Sequence, residues 1–187
     1  MNKAGFLMVL VVAFTIVESV AQSSADKKQP SLGYRSAKLI SIGKLQFKDL
    51  NRNGKLDPYE DWRLSNDARA KNLLSQMSVE QKVGFMLISS TRLKNDWAFE
   101  APKSKDPISS DFNEEDLVQS INMFTRKPLP VPMTMAAGTT KGVTQFHLRH
   151  FILRANAPAG ITAAWANKLQ ALCESDGLGI PAIIASN

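Results

Sequence analysis

Residues Phe146 to Asn187 read FHLRHFILRANAPAGITAAWANKLQALCESDGLGIPAIIASN, and their pattern decides the fold class. Phe146 to Leu153 contains a strand. Asn156 and Pro158 then open a helix that runs to about Ser175, with Ile161, Trp165, Leu169 and Leu172 at helical spacing. Gly177 and Gly179 stop it. Ile180 to Ala185 (IPAIIA) is a second apolar run, short enough for a buried strand. Strand, helix and strand with a short return predict a βαβ unit, hence a parallel sheet and an α/β fold. Such sheets carry their sites at the carboxyl ends of the strands, which directs attention to Ser186 and Asn187.

Working upstream, Arg126 to Gly142 is rich in Pro, Met and Gly and reads as a connection. Asn113 is placed to cap a helix that starts with Glu114-Glu115-Asp116 and shows Leu117, Val118, Ile121 and Phe124 on one face. Ser89 to Asp111 reads as a long surface loop. Phe85 to Ile88 is a compact apolar run expected to be a strand. Before it, Ser78-Val79-Glu80-Gln81 has the form of a capping box that starts a short helix ending at Gly84. A further helix is expected from about Asp67 to Met77, with Ala70, Leu73, Leu74 and Met77 on one stripe.

Asp49-Leu50-Asn51-Arg52-Asn53-Gly54-Lys55-Leu56-Asp57-Pro58-Tyr59-Glu60 has the spacing of a twelve-residue EF-hand-type calcium loop. Asp49, Asn51, Asn53, Asp57 and Glu60 offer side-chain oxygens, Lys55 offers its backbone carbonyl, and Gly54 stands at the sharp turn. Calcium takes six to eight oxygens, and alternate residues of a curling loop can aim them inward. The competing reading is a polar surface turn set by Asn53-Gly54. Leu39 to Phe47 is too short and irregular for a long entering helix. One structural Ca2+ is therefore expected rather than a calcium switch. With only Asp49, Asp57 and Glu60 charged, affinity belongs at the weak, extracellular end of the range.

The first residues describe export. Lys3 supplies a positive start, Gly5 to Val17 is an apolar run, and Ser19-Val20-Ala21 offers small residues for cleavage. Residues 1–21 are expected to be a signal peptide, too short to span a bilayer. The product would be periplasmic or secreted, with no membrane attachment after cleavage. The 187 residues hold 23 Lys and Arg against 17 Asp and Glu, a net charge of +6. These charges are interspersed and no basic cluster alternates with aromatics, which argues against nucleic-acid binding. Cys173 is the single cysteine, so no intramolecular disulfide exists, and its Ala-rich helical setting predicts a buried, inert thiol. His147 and His150 lack a third ligand at metal-binding spacing and read as structural.

Three segments resemble glycoside hydrolase family 3, the bacterial β-glucosidase-like enzymes. Phe47 to Arg63 (FKDLNRNGKLDPYEDWR) resembles the leader before the barrel of exported members. Leu73 to Leu87 (LLSQMSVEQKVGFML) is similar to the family's opening helix and first strand. His150 to Arg154 (HFILR), followed by Ala166 to Asn187, is similar to its helix and following "G-I-P" strand. The resemblance implies the N-terminal part of a (β/α)8 TIM-type barrel, incomplete at 187 residues because a whole barrel takes about 250. Residues 22–63 would be the leader with its calcium-type loop, and residues 64–187 the partial barrel domain.

The chemistry so implied is that of a retaining exo-acting β-glycosidase, whose two carboxylates serve as nucleophile and as general acid/base on a β-linked oligosaccharide or glycoside. In the family both lie on later segments, so no acid of this chain inherits either role and no catalytic residue is assigned. Asn187 aligns with a position where many members carry a sugar-binding Asp; an amide there can donate and accept but brings no charge. The rival class is a non-enzymatic exported calcium-binding module.

Overall fold

The structure is a computed structural model that describes residues 28–96 and 105–186. The expected signal peptide and Asn187 lie outside the described residues. Among the described residues the architecture is mixed α/β, with one parallel sheet and three two-stranded antiparallel sheets.

The leader folds first as a hairpin, β1 (Lys38–Ile42) against β2 (Leu45–Asp49), turned by Gly43 at φ +60°. Phe47 of β2 is fully buried under a local cluster: the Trp62 indole stacks on it at 5.3 Å, and the Arg63 guanidinium lies 4.8 Å above its ring. Asp61 grips Arg63 through two hydrogen bonds, to Nε at 2.8 Å and Nη2 at 2.7 Å. Burial alone would raise the Asp61 carboxyl, but Arg63 holds it below the usual range.

Two helices follow, α1 (Asn66–Gln76) and α2 (Val79–Met86). The capping box forms as the sequence predicts: Ser78 Oγ accepts from Gln81 N–H at 3.1 Å and Gln81 Oε1 accepts from Ser78 N–H at 3.0 Å. Gly84, however, lies inside α2 and does not end it. A Cβ there would overlap the carbonyl oxygen of Phe146 and come within 2.9 Å of His147 Cβ. Glycine marks a close crossing of helix and turn, not a stop signal. The expected strand at Phe85–Ile88 accordingly starts later, as β3 (Ile88–Thr91).

The stretch from Ser89 to Asp111, expected to be loop, contains the end of β3, then β4 (Leu93–Lys94) and the start of β5 (Ser109–Phe112), which pair antiparallel. The expected helix after Asn113 is absent. Leu117–Ile121 is a strand, β6, paired with β7 (Pro128–Ala136). In isolation the apolar positions of β6 fit a helical stripe as well as a strand; the long-range partner settles it. Pro128, Pro130 and Pro132 stand at every second residue, so their missing N–H groups fall on one edge, which a two-stranded sheet can leave unpaired. The acidic run does serve a helix start, but of α3 (Thr139–Thr144). Asp116 Oδ1 accepts from Gly138 N–H at 2.9 Å, and Glu114 Oε2 accepts from Thr140 N–H at 2.9 Å.

The predicted βαβ unit is present: β8 (His150–Leu153), α4 (Ala159–Ser175) and β9 (Ile183–Ser186), with strand order β3-β8-β9, all parallel. Both expected strands are shorter than the runs Phe146–Leu153 and Ile180–Ala185. Trp165, Leu169 and Cys173, four residues apart on α4, are fully buried against Phe151 and Leu153 of β8, Leu93, Val143, Leu148 and Ala182. Burying each large apolar side chain stabilises the fold by about 1.5–3 kcal/mol, so this one stripe fixes the helix on the sheet. Arg149, buried at the foot of β8, donates to the carbonyls of Ile180, Val143 and Leu148 and pairs with Asp176 at 2.6 Å.

The leader is tied to α4 by Glu174. Its Oε2 accepts the backbone N–H groups of Arg35 (2.6 Å), Ser36 (2.5 Å) and Ala37 (3.1 Å), with Lys48 at 3.7 Å from Oε1. Burial alone would raise this carboxyl; the three N–H groups and Lys48 outweigh it and hold it below its ordinary value.

Two predictions arise from these contacts. Gly84→Ala lowers stability by about 1–3 kcal/mol through overpacking, whereas Gly160→Ala, with nothing within 4 Å of a Cβ, does not. Urea midpoints check this, and equal stability of Gly84→Ala and parent would disprove the close crossing. Because the folded-state pKa of Glu174 is depressed, its contribution is full above the ordinary value of 4.5 and is lost as pH falls through the folded value. Glu174→Gln therefore costs about 1–2 kcal/mol at pH 7, and the gap to the parent narrows below about pH 4.5; a gap constant from pH 7 to pH 3 would refute the clamp.

Candidate functional site

The carboxyl ends of the three parallel strands lie side by side, since Thr91 pairs with Leu153 and Leu153 with Ser186. The residues that follow β3 and β8 are Arg92 and Arg154. Arg154 donates from its backbone to Thr91 O (3.0 Å) and from Nε to Ser90 Oγ (3.2 Å). Thr91 Oγ1 meets Thr139 Oγ1 at 3.1 Å, and Thr139 donates its hydroxyl to Asn113 O at 3.2 Å. These bonds fix the start of α3 beside the strand ends.

Over this end opens a cleft of about 280 Å³ lined by Ser90, Arg92, Arg154, Leu117, Met123, Met135 and Ala136. The floor is cationic and polar, and the wall is apolar and belongs to the β6–β7 hairpin. None of the lining residues is a carboxylate. A larger hollow of about 570 Å³ lies along β5 and α4, where Lys168 and Asp111 pair at 2.7 Å. It is lined by neither Arg92 nor Arg154, so the smaller cleft, which holds both residues that follow the strands, is the candidate ligand site.

Sequence reasoning pointed at this end of the sheet through Ser186 and Asn187. It did not identify Arg92 or Arg154, nor the hairpin residues Met135 and Ala136, whose stretch reads as a plain connection. The available signal was position alone: an arginine directly after a buried strand.

The twelve-residue loop lies at the opposite side of the chain's architecture, entered from β2 and not from a helix. Asp49 and Glu60 are each 4% exposed. Gly54 N–H donates to Asp49 Oδ2 at 3.1 Å, while Asp49 Oδ1 is buried without a hydrogen bond. Glu60 Oε1 accepts from Leu50 N–H (2.7 Å) and Asn51 N–H (3.3 Å), and its Oε2 from Asp57 N–H (3.0 Å). Asn51 and Asn53 each donate Nδ2–H to Asp57 Oδ2 at 2.7 Å. Among the described residues no three carboxylate, histidine or cysteine side chains converge as a metal-binding group. Three of the six expected donors, Asn51, Asn53 and the Lys55 carbonyl, are uncharged and outside such a count. After burial itself, the charges of Glu60, Asp57 and Asp49 push the Tyr59 phenol above its ordinary value.

The histidines do not form a pair. His147 sits at φ +55° in the turn under α2, and His150 meets the Phe85 ring edge-on at 4.9 Å. Cys173 is completely buried, and burial pushes its thiol up to about 11, with Asp176 adding and Arg149 subtracting. It is an inert core residue, not a nucleophile.

No protein-family model matches the chain. It is 34% identical over 178 residues to the periplasmic beta-glucosidase/beta-xylosidase of Dickeya chrysanthemi. The match covers 95% of this chain, in agreement with the resemblance seen in the motifs. The chain is thus similar to a beta-glucosidase/beta-xylosidase along nearly all of its own length. It spans about a fifth of the length of that relative, 22%.

The cleft at the strand ends lies where open α/β sheets hold their ligands. Asn187, the residue after β9 in the sequence, lies outside the described residues. Among the described residues no helix is long and apolar enough to cross a membrane.

Cys173 provides a direct check on the packing of α4. In the native chain it should react with a thiol reagent at least about a hundredfold more slowly than in denaturant, since the thiolate is the reactive form and burial suppresses it. Equal rates would show that the helix does not seat as described.

Proposed function

We propose that the chain is the opening segment of an exported β-glycosidase, supplying the leader and the first strands of a (β/α)8 barrel. The observation that carries this is the 34% identity to a beta-glucosidase/beta-xylosidase along 95% of the chain. The geometry supports it in three ways. A parallel βαβ unit is the repeating unit of such a barrel. The outer edges of β3 and β9 carry exposed apolar residues, Ile88 at 70% and Ile183 at 57%, as strands awaiting lateral cover would. The cleft of Arg92 and Arg154 faces the carboxyl ends, where the barrel's ligands belong.

The substrate class is a β-linked glycoside, cleaved at its terminal sugar with retention of configuration. The two carboxylates this requires stand about 5–5.5 Å apart in retaining enzymes. No pair of that kind lines the strand-end cleft, so the reacting acids are assigned to other segments of the full enzyme. Within this segment the polar ends of β3, β8 and β9, including the amide of Asn187, would contact sugar hydroxyls. Export follows the apolar start and the periplasmic location named for the relative.

The test is a chimera in which this chain replaces the matched part of the Dickeya relative. The folded chimera should hydrolyse aryl β-glucosides or β-xylosides, while the 187-residue chain alone should hydrolyse neither. A folded chimera without turnover would overturn the assignment, and turnover by the chain alone would overturn the placement of the carboxylates.

A further inference from the structure

We propose that the loop from Asp49 to Glu60 binds one Ca2+ ion, and that the bound ion braces the turn leading from α4 into β9. The spacing of six oxygen donors is one observation. The second is Asp49 itself: 4% exposed, one oxygen held by Gly54 N–H inside the loop, and the other buried with no hydrogen bond. An ionised carboxylate oxygen buried without a partner is costly, and a hard cation removes that cost. The inference does not depend on the glycosidase reading.

The hydrogen bonds of the loop are compatible with a cation. Glu60 uses one lone pair of Oε2, and Asp57 uses Oδ2 for both Asn amides, so each carboxylate retains acceptor capacity. Asn51 Oδ1 and Asn53 Oδ1 each accept one backbone N–H, from Asn53 (3.2 Å) and Lys55 (2.7 Å), and each keeps a second lone pair. Ca2+ would replace the two Nδ2–H···Oδ2 bonds by turning the amide oxygens toward itself. Filling the site would also draw the Asp49, Asp57 and Glu60 carboxylates together, since they do not converge on one point here, and would turn Asn51 and Asn53, of which Asn53 is exposed.

What the ion stabilises follows from the outer contacts of the loop. Arg52, at φ +59°, donates to Ser175 O (2.6 Å) and Glu174 O (3.1 Å), the last carbonyls of α4. Tyr59 Oη donates to Leu178 O at 3.2 Å. Gly179, at φ +64°, passes so close to Leu50 that a Cβ would stand 2.9 Å from the Leu50 Cβ. The loop therefore holds residues 174–179 by three independent contacts, and those residues set the entry of β9.

The experiment is calcium titration of the full chain by calorimetry, with hydrogen exchange read at residues 174–180. The expected result is one saturable site with Kd of about 0.1–1 mM, the weak end of such loops, and slower exchange at 174–180 when it is filled. Mg2+ should not substitute, since it demands a tighter octahedral shell. Asp49→Asn should weaken binding about tenfold or more because ligand charge sets affinity. Should that variant fail to fold, Asn53→Ala, at an exposed position, should still weaken binding measurably. No saturable site up to about 10 mM, or Asn53→Ala binding equal to the parent, would overturn the site. Binding without added protection at 174–180 would overturn the bracing.

Discussion

One buried carboxylate ties two halves of the chain together. Glu174 stands in the last turn of α4, on the same helix whose Trp165, Leu169 and Cys173 fill the core against β8. It accepts three successive N–H groups, from Arg35, Ser36 and Ala37, and so satisfies the buried donor of Ala37 together with its two more exposed neighbours. The leader thus docks on the helix through a charge-assisted contact instead of a broad apolar face, consistent with its small local cluster of Phe47, Trp62 and Arg63. The position of the twelve-residue loop depends on this, because the loop starts at the end of β2 and reaches back to the same helix end through Arg52.

The other organising feature is the crossing of α2 over the turn at Phe146 and His147. Gly84 lets the helix approach the backbone, and the turn then feeds β8 directly beside β3. With β3 and β8 in register, Arg92 and Arg154 emerge side by side from the strand ends. The β6–β7 hairpin contributes Leu117, Met135 and Ala136 to the wall above them. The hairpin in turn is anchored by Glu114 and Asp116 at the start of α3, and α3 is held by the Thr91–Thr139 contact at the end of β3. The cleft is therefore built from long-range hydrogen bonds at one end of the sheet.

What was legible in the sequence was what is local. The Ser78–Gln81 box, the apolar stripe of α4 and its stop at Gly177 and Gly179 all lie within one helix or one turn of each other, and they form as expected. Leu117 to Ile121 was misassigned because five residues with this composition fit either period, and the partner that decides, Pro128 to Ala136, comes only after a turn. Gly84 reads as a stop signal in the sequence because its true reason is a neighbour more than sixty residues later in the chain. The acidic run 114–116 was understood in kind, charge at a helix start, but the helix it serves is α3. Of the candidate site, the correct end of the sheet was legible from the βαβ pattern, whereas Arg92 and Arg154 acquire meaning only once the register places them together.

The loop and the cleft occupy opposite ends of β9. Residues 174–179 enter the strand and are held by Arg52, Tyr59 and Leu50; the strand then runs four residues, about 13 Å, to its carboxyl end beside Arg154. In α/β architectures the carboxyl ends carry chemistry and the amino ends carry stability. An ion bound at Asp49 to Glu60 would thus act on the fold and not on a ligand in the cleft, because its hold is on the entry turn of β9 and the cleft opens at the other end of the sheet. Metal and ligand would be coupled only through the rigidity of a single four-residue strand, which makes the loop a structural brace.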